Sequence, residues 1–145
     1  MAVISIQNKT RVDVDMKSLE KYAAKLLEST RDWRDAELSI MLAGDKRIQT
    51  LNERWRGKET PTDVLSFPME EEPLPGGPLL MGDIVIGVRQ AMGDAKEEGV
   101  SLEDKMKELV LHSVLHLMGY DHENPEDARK MEKRRRGILK KIGDM

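Results

Sequence analysis

Apolar residues along this chain switch between two spacings, and each switch marks a predicted element. Val3 to Gln7 alternates apolar and polar, the period of a half-buried strand. Between Met16 and Glu28 the period lengthens. Leu19, Tyr22, Ala23, Leu26 and Leu27 fall on one helical face, with Asp15 placed to cap the first turn. Alternation returns at Leu38, Ile40 and Leu42. Gly44 and Asp45 then open a second helix whose buried stripe is expected at Ile48, Leu51 and Trp55. This helix should stop at Gly57, after which the chain turns through Pro61, extends from Asp63 to Phe67 and is halted by Pro68.

Met69 to Met81 is rich in proline, glycine and glutamate and reads as a mobile loop joining two strands rather than two domains. Asp83 to Gly87 is the next strand, and Val88 to Glu98 a helix closed by Gly99. Ser101 with Asp104 forms a capping-box pattern that starts another helix, with Val100 positioned for a staple contact. Asn124, Pro125, Glu126 and Asp127 open the last helix, whose inner stripe is Ala128, Met131, Ile138 and Ile142. Strands interleave with helices early and helices dominate later. The pattern predicts an α+β fold, a small mixed sheet of about four strands packed against several helices. Pattern alone does not give the strand order.

At 145 residues the chain is expected to be one domain, residues 1–145, with its core drawn from Leu, Ile, Val, Met and Ala because aromatics make up only 3%. It contains no cysteine, hence no disulfide framework. No apolar run reaches the roughly 18 to 20 residues of a membrane span, and no basic-then-hydrophobic leader opens the sequence. The expectation is a cytoplasmic protein that does not enter membranes.

The formal net charge of −3 hides a segregation. From Glu126 to Lys141, eight basic residues (Arg129, Lys130, Lys133, Arg134, Arg135, Arg136, Lys140, Lys141) face three acidic ones, while Met69 to Pro78 carries only Glu70, Glu71 and Glu72. A basic helix of this kind is either a solvated face or a track for a phosphate backbone.

The three histidines all fall within HSVLHLMGYDH, His112 to His122. On a helix, His112 and His116 project from one face one turn apart. Gly119 can end the helix with a left-handed residue and return His122 toward the same point. Two core histidines would be the ordinary explanation of the first pair, in a segment apolar nearly all round. Three, around a glycine, match a metal site on the helix and the turn after it. Three imidazoles leave one position of a tetrahedral zinc open, and no cysteine is available to close it.

The spacing H-x-x-x-H-x-x-G-x-x-H is also that of metzincin proteases, where a glutamate follows the first ligand. Here that residue is Ser113, which cannot act as a base near neutral pH unaided. Peptide hydrolysis is therefore disfavoured. A phosphodiester suits an open metal site better, because charge built on its oxygens can be met by a guanidinium, and Arg56 is a candidate. Arg56 can equally serve the carbonyls at the end of its helix.

HSVLHLMGYDH, together with WRGKETPTDVLSFP (Trp55 to Pro68) and GDIVIG (Gly82 to Gly87), resembles the YbeY family of bacterial metallo-endoribonucleases over essentially the whole chain. The resemblance implies zinc held by His112, His116 and His122, with catalytic roles for Arg56 and His112. It implies single-strand-specific cleavage of RNA in maturation of the 3′ end of small-subunit (16S) ribosomal RNA and in ribosome quality control, with ribosomal RNA, and the ribosome or its proteins, as partners. One departure is Ser113, where the family usually has glycine. Two other readings stay open: a zinc hydrolase of a peptide or small phosphoester, and a ribosome assembly factor whose metal only braces the fold. Few aromatics are available for stacking bases. Tyr120 is expected to pack at the helix end with its hydroxyl in water. Asp121 and Asp63 are both candidates for the general base, and neither is singled out.

Overall fold

The computed structural model describes residues 1–69 and 75–143. In chain order the elements are β1 (Val3–Asn8), α1 (Met16–Glu28), β2 (Glu37–Ala43), α2 (Asp45–Arg56), β3 (Val64–Pro68), β4 (Leu80–Gly87), α3 (Val88–Glu98), α4 (Leu102–Leu117) and α5 (Pro125–Ile142). The sheet order is β1-β2-β4-β3. β1, β2 and β4 run parallel, and β3 lies antiparallel on the outer edge of β4. The α+β reading holds. No described helix is long and apolar enough to cross a membrane.

Local chemistry sets the helix limits where expected. The Asp15 side chain accepts from Ser18 N–H at 3.0 Å, Ser101 Oγ from Asp104 N–H at 3.0 Å, and Asn124 Oδ1 from Asp127 N–H at 2.9 Å. Each satisfies a first-turn donor that the helix itself leaves unpaired. Val100 stays exposed, so the staple expected beside Ser101 adds little burial.

Leu38, Ile40 and Leu42 of β2 and Met81, Ile84 and Ile86 of β4 turn to one face and form the main core with α1 and α4. α4 is the central helix. Leu109, Val110, Leu111, Val114 and Leu115 are buried, so its length is held by packing more than by intrinsic propensity. Buried Lys105 ties α4 to α3 through Glu98 at 2.6 Å and reaches Glu108 at 3.4 Å. Burial opposes its charge, but these two carboxylates outweigh it and hold the ammonium above its ordinary value.

α2 packs on the opposite face, where Ile48 joins Ala43, Leu65 and Val85 in a smaller cluster flanked by Met41, Leu51 and Phe67. Ile48 and Leu51 of the expected stripe face inward and Asn52 is buried beside them, but Trp55 is not. Trp55 is 61% exposed. It sits between Arg54 and Arg56 in the last turn before Gly57, so burying the indole would drag two guanidinium groups out of water. Asn52 holds the following loop, its Nδ2 donating to Thr60 O at 2.7 Å, while Gln49 Nε2 donates to Glu59 O at 2.8 Å.

β4 begins at Leu80, three residues before the strand expected at Asp83. The register is irregular between Glu37 and Leu38, and Gly82 has φ +144, so the alternation that marks a strand is broken there. Close approach explains the two ends of GDIVIG. A Cβ on Gly82 would lie 2.3 Å from Phe67 O, and one on Gly87 would lie 2.2 Å from Thr62 O. Only glycine lets β3 and the residues before it come this close. Of the loop read as mobile, Pro75 to Leu79 lead into β4, whereas Glu70, Glu71 and Glu72 lie outside the described residues.

Candidate metal centre

α4 carries His112 and His116 on the side that faces β3, and its end is built to bring back the third imidazole. Tyr120 N–H donates to Leu115 O at 3.0 Å and Gly119 N–H to His116 O at 2.9 Å, the paired bonds of a Schellman turn. This needs a positive φ at Gly119, which is +101. His122 then lies beside the other two, with ring centres 5.6 Å from His112 and 5.4 Å from His116. Asp121 Oδ1 accepts from His122 N–H at 2.7 Å and steadies the turn.

Nε2 of His112 and Nε2 of His116 are 3.1 Å apart. Two nitrogens bound tetrahedrally to one zinc at roughly 2.0 to 2.1 Å stand about 3.3 Å apart, so this pair is already set for a shared ion. One nitrogen from each of the three rings lies within 4.8 Å of the others. His112 and His116 are half-buried and His122 is exposed. Burial, then the neighbouring imidazoles of His116 and His122, push the His112 ring below its ordinary value, against weaker opposing pulls from Asp63 and Glu108. The neutral ring, which is the ligating form, is thereby favoured. The residues present fit a single metal ion with room for a further ligand.

A cleft of about 600 Å³ opens beside these rings between α4, β3 and the end of α2. Its lining includes Arg56, Ser66, Asp121 and Glu123 with the three histidines, and Arg56 is its one permanent cation among the described residues. Arg56 is exposed and makes no ion pair among the described residues. Ser113 Oγ is buried with no hydrogen-bond partner among the described residues, so the residue where a metzincin has its glutamate offers no activated group. Asp63 is not part of the lining. Burial and then the nearby Asp63 carboxylate push the Asp94 carboxyl above its ordinary value. Tyr120 packs against the main core, as expected of a ring at the helix end.

Sequence reasoning missed Trp55, which lines the cleft next to Arg56. The missed signal was its charged neighbours. Glu123 was also not singled out; nothing in its local pattern marks it, because only the turn after Gly119 carries it to the cleft.

A family model described as Endoribonuclease YbeY matches residues 4–143. A protein called Endoribonuclease YbeY from Anaeromyxobacter sp. (strain Fw109-5) is 47% identical over 75% of this chain, and the chain spans only 56% of that relative. One of the same name from Syntrophotalea carbinolica is 38% identical over 98% of this chain and 97% of its own length. Among solved structures, the solution structure of TM1509 from Thermotoga maritima superposes with a TM-score of 0.66 at 29% identity, covering 97% of this chain and 89% of that one.

Proposed function

The chain belongs to the YbeY family, and from that premise we propose that it is a zinc-dependent, single-strand-specific endoribonuclease hydrolysing RNA phosphodiester bonds. Residues 1–145 act as one catalytic domain in the cytoplasm, in maturation of the 3′ end of small-subunit (16S) ribosomal RNA and in ribosome quality control. The observation that carries this reading is the meeting of three imidazoles and one guanidinium, unpaired among the described residues, in a single cleft.

His112, His116 and His122 would hold the metal, which when bound supplies an electrophile and lowers the pKa of water toward 7. Arg56, reaching in from the end of α2, binds the phosphate through two of its oxygens and meets the charge that grows on them in the transition state. Its forked guanidinium suits this better than a lysine would. His112 contributes to catalysis by staying neutral and fixed on a packed helix. Asp121 and Glu123 are the cleft carboxylates able to take a proton. Asp121 is already engaged at the His122 backbone, and Glu123 makes no hydrogen bond among the described residues.

α5 begins just after the third histidine. Arg129, Lys133, Arg136 and Lys140 recur at helical spacing on the side opposite buried Met131 and Ile138, and among the described residues only Arg136 of the four is ion-paired, with Glu132 at 3.1 Å. This row attracts the sugar-phosphate backbone without reading sequence. The ribosome is the setting in which such a strand is presented.

His116→Ala and Arg56→Ala assayed on single-stranded RNA and on casein test the proposal. The first should lose metal and RNA cleavage together. The second should keep its metal and cleave RNA at least tenfold more slowly. Wild-type protein that cuts casein and spares RNA refutes it. A chelator that unfolds the protein would instead favour a bracing metal in an assembly factor.

A further inference from the structure

Among the described residues, the far face of the sheet is only partly covered. α2 lays Ile48 and Leu51 over the row formed by Met41, Val85 and Leu65, which are paired across β2, β4 and β3. The next row on that face is Ser39, Asp83 and Phe67, again paired across the same strands. These three residues line a groove of about 640 Å³ together with Trp55 and Met41. Trp55 leans its ring on Phe67, with centroids 5.9 Å apart and planes at 65°, and the Arg54 guanidinium stands 5.6 Å from the indole centroid.

Trp55, Phe67 and Pro68 line this groove and the histidine cleft alike, so the indole is part of the wall between them. The groove joins aromatic walls to a floor of hydrogen-bonding groups. Asp83 is exposed and forms no hydrogen bond or ion pair among the described residues. A carboxylate there repels phosphate, and a purely apolar guest would strip it of water without return. A planar guest with N–H groups along its edge satisfies both the walls and the floor.

We propose that this groove is a nucleobase subsite, in which a base flanking the scissile phosphate stacks on Trp55 and turns an amino-bearing edge to Asp83. The subsite rests on the reading of the protein as an RNA nuclease and deepens it. Stacking is blind to base identity, since every base has a π-face, whereas the carboxylate accepts from adenine, cytosine and guanine and finds no exocyclic amine on uracil. Arg54 on the indole can close over the stacked base as a second plane.

The test is equilibrium anisotropy with labelled 2′-O-methyl RNA octamers, their integrity checked on gels, against wild type, Trp55→Ala, Trp55→Phe and Asp83→Asn. Trp55→Ala should weaken binding of base-bearing octamers about tenfold and Trp55→Phe less than about threefold. An octamer of abasic units should bind wild type and Trp55→Ala equally. Wild type should prefer cytosine to uracil octamers, and Asp83→Asn should lose that preference. Unchanged binding by Trp55→Ala, or an equal loss on abasic RNA, overturns the subsite, as does a guest that proves to be a basic peptide competing at Asp83. Cleavage is scored separately: wild type that cuts RNA while Trp55→Ala binds normally sinks the subsite alone. Base-dependent binding without any cleavage sinks the nuclease and leaves the subsite standing.

Discussion

Replacing Ser113 with alanine should make the protein more stable, although the site lies in the central helix beside His112, a candidate metal ligand. Ser113 is 1% exposed, and its hydroxyl has no hydrogen-bond partner among the described residues. An unsatisfied buried hydroxyl costs roughly 1 to 3 kcal/mol. Alanine removes that cost and adds up to about 0.5 kcal/mol of helix propensity. Against this stand the lost dispersion contacts of one oxygen, each about 0.1 to 0.2 kcal/mol and together under about 1 kcal/mol. The net gain is about 1 to 2 kcal/mol, which for a chain of this size raises Tm by roughly 3 to 6 °C. Glycine gains the same relief but gives back about 1 kcal/mol in the helix, so the order should be alanine above serine, with glycine near serine. Thermal unfolding of metal-free protein, followed by circular dichroism in a chelator, keeps metal linkage out of the comparison. A Ser113→Ala protein that melts at or below the wild-type temperature refutes the reasoning. It would mean that the hydroxyl is bonded, most simply to the carbonyl one turn back at Leu109.

Gly87→Ala should destabilise by about 2 to 3 kcal/mol, because its Cβ would meet Thr62 O at 2.2 Å and backbone must shift to relieve it; a chemical denaturation midpoint equal to wild type would contradict this. His112 is held below 6.5, so its neutral ring adds stability above that value, which is lost as pH falls through its folded pKa. The metal-free protein should lose Tm on acidification below about pH 6.5, and His112→Asn should show a smaller loss. Metal content after dialysis at stepped pH should fall in the same direction, since protons compete for the same nitrogens. Lys133→Gln with Lys140→Gln should flatten the salt dependence of RNA binding by roughly 0.7 in log–log slope per lost phosphate contact. An unchanged slope would reduce α5 to a solvated face.

The histidine trio was readable because its geometry is local: an i, i+4 pair and a glycine turn fix three rings with no help from the rest of the chain. The caps Asp15, Ser101 and Asn124 were readable for the same reason. Arg56 is different. It shares a cleft with the histidines only because β3 pairs antiparallel with β4 and brings the end of α2 to the side of α4, a long-range arrangement that no periodicity encodes. Trp55 was misread because the stripe of α2 counts spacing and ignores the solvation of neighbouring arginines. The early start of β4 was hidden by the irregular pairing at Glu37 and the twist at Gly82.

All three candidate ligands come from one short stretch that begins in the central helix and ends in an exposed turn. An ion seated there fastens neighbouring links of the chain and bridges no distant parts, so the loop it closes is small and its entropic grip on the unfolded polypeptide is slight. Loading and stripping the centre should therefore resemble changing a tool in its holder. The outermost ring, on its turn, can let go first and open a way out while the helix keeps the other two in place.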